Sequence, residues 1–151
     1  MNQTITDISI QTYGEGFTDI TREINNWISL EKLIQGIIVI SVKHTSCSLT
    51  INENADPKVL KDLSAYFKSI VPEEGIRSFS TKGDTRPYLH SDEGSDDMPA
   101  HIRTALTCTS ISLSITQGKL SLGTWQAVYL WEHRSANQLR TIALHAIGTS
   151  G

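Results

Sequence analysis

The chain has 151 residues, a formal net charge of −3 and an isoelectric point near 5.9. That length fits one domain, residues 1–151, able to bury a core without staples, and the scattered Lys and Arg argue against nucleic acid or an anionic membrane as a partner. Cys47 and Cys108 form no CxxC pair, no basic-then-apolar leader opens the chain, and no apolar run approaches the roughly 20 residues that cross a bilayer, so a reduced, cytoplasmic setting is expected.

Ile8, Ile10 and Thr12 alternate with polar residues and predict a half-buried opening strand, which Gly14 and Gly16 turn. Thr18 or Asp19 can cap a helix with the face Ile20, Ile24, Trp27 and Ile28, and Gly36 lies near its exit. The β-branched run Ile37-Ile38-Val39-Ile40 predicts a buried strand over Gly36–Val42, with Ser48–Asn52 as its neighbour. The clearest helix follows. Asp56 is its N-cap, Pro57 suits the first turn, and Val59, Leu60, Leu63, Tyr66, Phe67 and Ile70 form one stripe that should enter the core before Pro72 ends it.

From Glu73 to Asp97 the chain is polar and aperiodic, the signature of a functional or disordered segment, and the histidines favour a functional one. Asp96 or Asp97 can cap a short helix through Pro99, His101, Ile102 and Leu106. The last third reads as strands: Ile111, Leu113 and Ile115 alternate, Gln117-Gly118 signals a hairpin, and Leu120 and Leu122 resume the pattern. Trp125, Ala127, Tyr129 and Trp131 alternate next, and Leu139–Ile147 closes the chain after a loop at His133–Asn137. The expected class is α+β, with antiparallel sheets and two main helices.

His44, His90 and His101 stand in polar settings that core packing would not explain. Neutral imidazole is a common ligand for borderline metals, so the three together suggest a divalent-metal site for zinc or a related ion. Their wide sequence separation leaves a second reading open, three unrelated loop histidines. Glu53 follows a strand and could serve as ligand, general base or turn residue, although strict alternation puts His44 and Glu53 on opposite faces. Glu132 ends an apolar strand, where Arg134 or Arg140 would have to pair with it. His133 follows Glu132 at a strand end and could reach the same region, although a surface position is the expectation, and His145 shares parity with Leu139, Ala143 and Ile147, packed or at an interface. Cys47, in register with Leu49 and Ile51, is expected to be a buried, inert thiol. The acids Asp92, Glu93, Asp96 and Asp97 could bind a cation, although a run of acids on a loop is ordinarily solvated. No GxSxG elbow, Walker loop or GxGxxG is present, so any phosphate contact must come from scattered donors such as Thr45, Ser46, Thr124 and Arg140.

The runs His44-Thr45-Ser46-Cys47-Ser48-Leu49-Thr50-Ile51-Asn52-Glu53-Asn54-Ala55-Asp56-Pro57, Glu93 to Ile102, Gly118 to Gln126 with its Leu-Gly-Thr-Trp-Gln core, and Glu132-His133-Arg134 resemble the YjbQ-like family, widely labelled a secondary thiamine-phosphate synthase enzyme family. The resemblance covers nearly the whole chain. It implies a two-layer antiparallel β-sandwich with helices, assembly as a homotrimer, and a polar site at the matching His44, Glu53, His90 and His101 with metal in some relatives. Cys47 stands where a small residue is usual and Ser95 where an acid is common; neither removes a ligand.

On that footing one expected activity joins a pyrimidine pyrophosphate to a thiazole phosphate. His44, His90 and His101 would hold zinc or magnesium, Glu53 and His101 would do the proton chemistry, and Arg140, Thr45 and Ser46 would contact the phosphorylated substrate. A metal-dependent hydrolase of another substrate suits the same residues, and a non-enzymatic trimeric metal- or anion-binding module is the third expectation.

Overall fold

The computed structural model describes residues 1–78 and 83–151. In chain order the elements are β1 (Asn2–Tyr13), β2 (Gly16–Asp19), α1 (Thr21–Leu30), β3 (Leu33–Val42), β4 (Cys47–Glu53), α2 (Pro57–Ile70), β5 (Ile76–Arg77) and β6 (Thr85–Arg86). They continue as α3 (Asp97–Leu106), β7 (Ser110–Thr116), β8 (Lys119–Leu120), β9 (Gln126–Glu132) and β10 (Asn137–Ser150). Between 73 and 96 the described residues form the two-residue strands β5 and β6; residues 79–82 of the polar segment lie outside the described residues.

The strands form a five-stranded sheet in the order β1-β10-β3-β7-β8 and a three-stranded sheet in the order β2-β9-β4, all neighbours antiparallel. This is the expected α+β class. The first and last strands run well beyond their apolar alternation because they pair along their whole length, from Asn2 opposite Gly148 to Tyr13 opposite Asn137. Gln117 and Gly118 both adopt positive φ, 52° and 74°, which is the backbone twist a two-residue hairpin between β7 and β8 requires. Gly36 is not a helix exit. It lies inside β3 opposite Gly148, where a Cβ on Gly36 would come within 2.3 Å of the Ile147 carbonyl oxygen, so only glycine lets the two backbones approach.

Ile38, Ile40, Ile142 and Leu144 from the larger sheet meet Leu49, Val128 and Leu130 from the smaller one, and α1 closes the same core with Ile20, Ile24, Trp27 and Ile28. Asp19 accepts from the Thr21 amide at 2.9 Å as α1 begins, and Asp56 accepts from Lys58 in the same way at α2. The stripe on α2 does not enter this core: the helix has no fully buried residue, and Tyr66 is 60% exposed. It lies instead on the outer face of the small sheet, where Phe67 meets Trp131 edge-on with ring centroids 4.8 Å apart. Amphipathic periodicity reports that a helix has one covered face, not that the cover is deep. The short helix expected through Pro99, His101, Ile102 and Leu106 is α3, as long as α1, and it crosses the start of β4.

Candidate functional site

Asp97 and His101 stand one turn apart on α3, and that spacing puts both side chains on one face. His90, from the preceding loop, comes to the same place: its Nε2 lies 2.7 Å from Asp97 Oδ2, and its ring centroid is 5.3 Å from that of His101. One ligand atom from each of His90, Asp97 and His101 lies within 4.8 Å of the other two. Asp97 is buried, whereas His90 is exposed and His101 half-buried, so the group opens to solvent on the imidazole side.

The orientation of His101 is fixed from behind. Its Nδ1 donates to the Thr45 carbonyl at 2.8 Å, which leaves Nε2 with a free electron pair facing Asp97 Oδ1 at 3.4 Å. Asp97 is held in turn by Arg134, whose Nη1 donates to Oδ1 at 2.7 Å while its Nε donates to Asp96 at 3.0 Å. Burial works against the charge on Asp96, but the Ser135 amide, Arg134 and the Ser135 hydroxyl outweigh it and hold that carboxyl below the usual range. These acids are therefore engaged rather than solvated. Two imidazoles and a carboxylate, with one imidazole anchored through its second nitrogen, form a donor set that suits catalytic zinc with an open coordination position.

Not all the expected site residues gather here. His44 lines the same hollow of about 520 Å³ as His101, Thr45, Thr104, Thr107 and Thr109, but its Nε2 accepts the Thr141 amide at 2.8 Å, so that electron pair is spent. Burial, with Arg140 adding to it, holds the ring below its ordinary pKa. Asp97, not His44, completes the group of three donor atoms that lie close enough together to hold an ion. Glu53 ends β4, six residues beyond Cys47, and at strand rise that places it on the order of 20 Å from the start of β4 that His101 crosses.

Arg140 is not open to a ligand either. It is 4% exposed and bound through Nε and Nη2 to both oxygens of Glu132, with Ser46 Oγ accepting from Nη2 at 2.9 Å. Thr12 donates to Glu132 at 2.6 Å, so the pair is fully hydrogen-bonded between the sheets. This is the structural salt bridge expected of Glu132, and it also occupies Ser46; of the four expected phosphate donors, Thr45 and Thr124 are exposed and Ser46 and Arg140 buried.

His133 is not at the surface. It is 1% exposed beneath the helices, with Nε2 2.8 Å from Ser48 Oγ and Nδ1 without a partner. The outward alternation of Ala127, Tyr129 and Trp131 continues through His133 under the helical layer, and that parity was the signal that could have placed it. Burial pushes its pKa down to about 4, with Arg103 reinforcing the shift. An unfolded chain binds this proton below about 6.5 while the folded chain does not until about 4. Stability is thus full above pH 6.5 and falls as pH drops toward 4, by about 3 kcal/mol at most. Urea midpoints between pH 7.5 and 4 should show this decline, and His133→Gln should flatten it. Cys47 is buried as expected, and burial pushes its thiol up to about 11. His145 and its parity neighbours Leu139 and Ile147 face outward from the large sheet, with Gln3 2.8 Å from the imidazole.

Asp97 stood only as one of four loop acids able to bind a cation, and Arg134 was expected to pair with Glu132 rather than to anchor Asp97. The spacing of Asp97 and His101 on one helix was the legible signal, although Asp96 makes no side-chain cap there; no sequence spacing reports that Arg134 returns to them.

Residues 6–149 match the family model described as UPF0047 protein YjbQ-like. The UPF0047 protein sll1880 of Synechocystis sp. is 45% identical over 92% of this chain and 88% of its own length. UPF0047 protein YjbQ of Salmonella typhimurium is 40% identical over 84% and 85%. Among solved structures, an uncharacterised conserved protein of the YjbQ/UPF0047 family from Clostridium acetobutylicum superposes with a TM-score of 0.80 at 31% identity, covering 94% of this chain and 99% of that one. No helix of the described residues is long and apolar enough to cross a membrane.

Proposed function

This chain belongs to the UPF0047 YjbQ-like family, and from that premise we propose that it is a metal-dependent enzyme whose divalent ion, zinc by donor set, is held by His90, Asp97 and His101. The single observation that carries the reading is the free Nε2 electron pair of His101 set against Asp97 Oδ1 while Nδ1 is tied to Thr45. A bound ion would supply Lewis-acid charge for activating water or for carrying a leaving group.

The chain's own residues supply the rest. Thr45 fixes the His101 ring, Arg134 fixes Asp97, and the hollow of His44, Thr45, Thr104, Thr107 and Thr109 seats a small substrate against His101. Hydrolysis is the reaction these parts serve most directly, because Glu53 and Arg140 stand away from the ion or are spent elsewhere. The family label favours thiamine-phosphate formation as the second reading; the threonine hydroxyls beside His101 are then the phosphate donors. The exposed face bearing Ile5, Ile37, Val39, Leu139 and Ile147 is the surface through which three copies would assemble, in a reducing cytosol where Cys47 and Cys108 stay thiols.

Calorimetric titration of chelator-stripped protein with zinc, then magnesium, tests the site: one zinc per chain is expected, with magnesium weaker. Absence of saturable binding by either ion removes the reading. The reloaded protein should then hydrolyse a member of a phosphoester and ester panel, and the pyrimidine and thiazole phosphates in a parallel reaction decide the synthase alternative.

A further inference from the structure

A second site lies on the other side of α3. Arg103 is 5% exposed, yet no carboxylate of the described residues is within ion-pair distance of it. Its Nη2 donates to the Val71 carbonyl at 2.8 Å, and its Nε meets no acceptor. Glu15, Glu73 and Asp96 act on its charge only from beyond contact distance, and burial outweighs them. A buried guanidinium with no carboxylate in contact is costly, and such groups are ordinarily paired or bind an anion.

Arg103 lines a hollow of about 340 Å³ together with Lys68, Glu73, Glu74 and Arg77. Ser69, Pro72 and Arg77 also line an adjoining hollow of about 430 Å³, whose further walls are apolar: Ile70, Val71, Ile76 and Ile102, with the Tyr88 ring. Tyr88 is fixed there by donating to the Pro72 carbonyl at 2.7 Å. The charges around the first lobe are not equal in effect. Lys68 is paired with Glu15 at 3.3 Å, Glu73 accepts from Ser95, and both Glu73 and Glu74 are exposed and screened by solvent. Arg77 has no ion-pair partner among the described residues, and the Arg103 charge is sheltered from water.

We propose that these joined hollows bind a small organic oxyanion, its carboxylate or phosphate on Arg103 and Arg77 and its apolar body between Ile70, Ile76 and Tyr88. The site is separate from the His90–Asp97–His101 group and does not depend on its reading.

Titration of the full chain with benzoate, phenyl phosphate and benzyl alcohol, followed by amide chemical shifts, tests it. At least one anion should saturate a single site with shifts centred on Val71, Ile76 and Ile102, and benzyl alcohol should bind about tenfold more weakly or worse. Binding of benzoate alone identifies a carboxylate ligand, and binding of phenyl phosphate alone a phosphate ester. Arg103→Met and the exposed-site variant Arg77→Met should each weaken the anion about tenfold, whereas His101→Ala should leave it unchanged. Because Arg103→Met also removes an unpaired buried charge, its melting temperature without ligand should equal or exceed that of the parent. The proposal falls if neither anion binds, if the alcohol binds as well as the anions, if Arg77→Met binds normally, or if Arg103→Met changes the oligomeric state, which would make a second copy the source of the missing negative charge.

Discussion

Replacing Arg140 with methionine is expected to destabilise the chain by about 3–5 kcal/mol, a large fraction of the roughly 5–15 kcal/mol typical of a domain. Arg140 makes no contact with the proposed metal group; the cost comes from what it leaves behind. Glu132 is 1% exposed and receives hydrogen bonds from Arg140, Thr12 and the Arg134 amide. Burial raises the pKa of Glu132, but those donors, Arg140 first among them, bring it below the ordinary value. Without the guanidinium, that carboxylate must stay charged and unpaired between two sheets or take up a proton. The check is a urea midpoint followed by tryptophan fluorescence. Pairing Arg140→Met with Glu132→Leu should recover most of the loss, since removing both charges leaves no orphan. A small loss in the single variant would mean that water reaches Glu132 and screens it.

His101→Ala is expected to have the largest functional effect: zinc affinity should fall by more than about a hundredfold, with the urea midpoint nearly unchanged. His101 offers its Nε2 to the site from a half-buried position, and what it loses structurally is one hydrogen bond to the Thr45 carbonyl. Any turnover found for the zinc-loaded protein should vanish with it. Thr45 acts through a carbonyl, so Thr45→Ala should spare binding, and His44→Ala should reduce affinity far less than His101→Ala, because the His44 electron pair is already given to the Thr141 amide. Equal losses from His44→Ala and His101→Ala would restore His44 as a ligand and displace Asp97.

Local information in the chain was sufficient for most of the framework. The Asp56-Pro57 start of α2, the apolar run of β3 and the hairpin at Gln117-Gly118 depend on caps, β-branching and positive φ within a few residues, and each appears where those signals put it. The membership in the YjbQ-like family was likewise legible, because contiguous runs such as Leu122-Gly123-Thr124-Trp125-Gln126 carry it.

Depth and partnership were decided by packing between distant segments. Periodicity gave α2 an apolar face but could not say that the face meets the outer side of a small sheet, so the stripe remains only half covered. His133 is buried because the outer face of β9 lies under the helices, and Arg140 is withdrawn from any ligand because β9 and β10 bring it to Glu132. The proposed metal group follows the same division: Asp97 and His101 share a helix face that sequence alone dictates, while His90 and the Arg134 anchor reach them only through the closed fold, where atoms far apart along the chain compete for the same few acceptors.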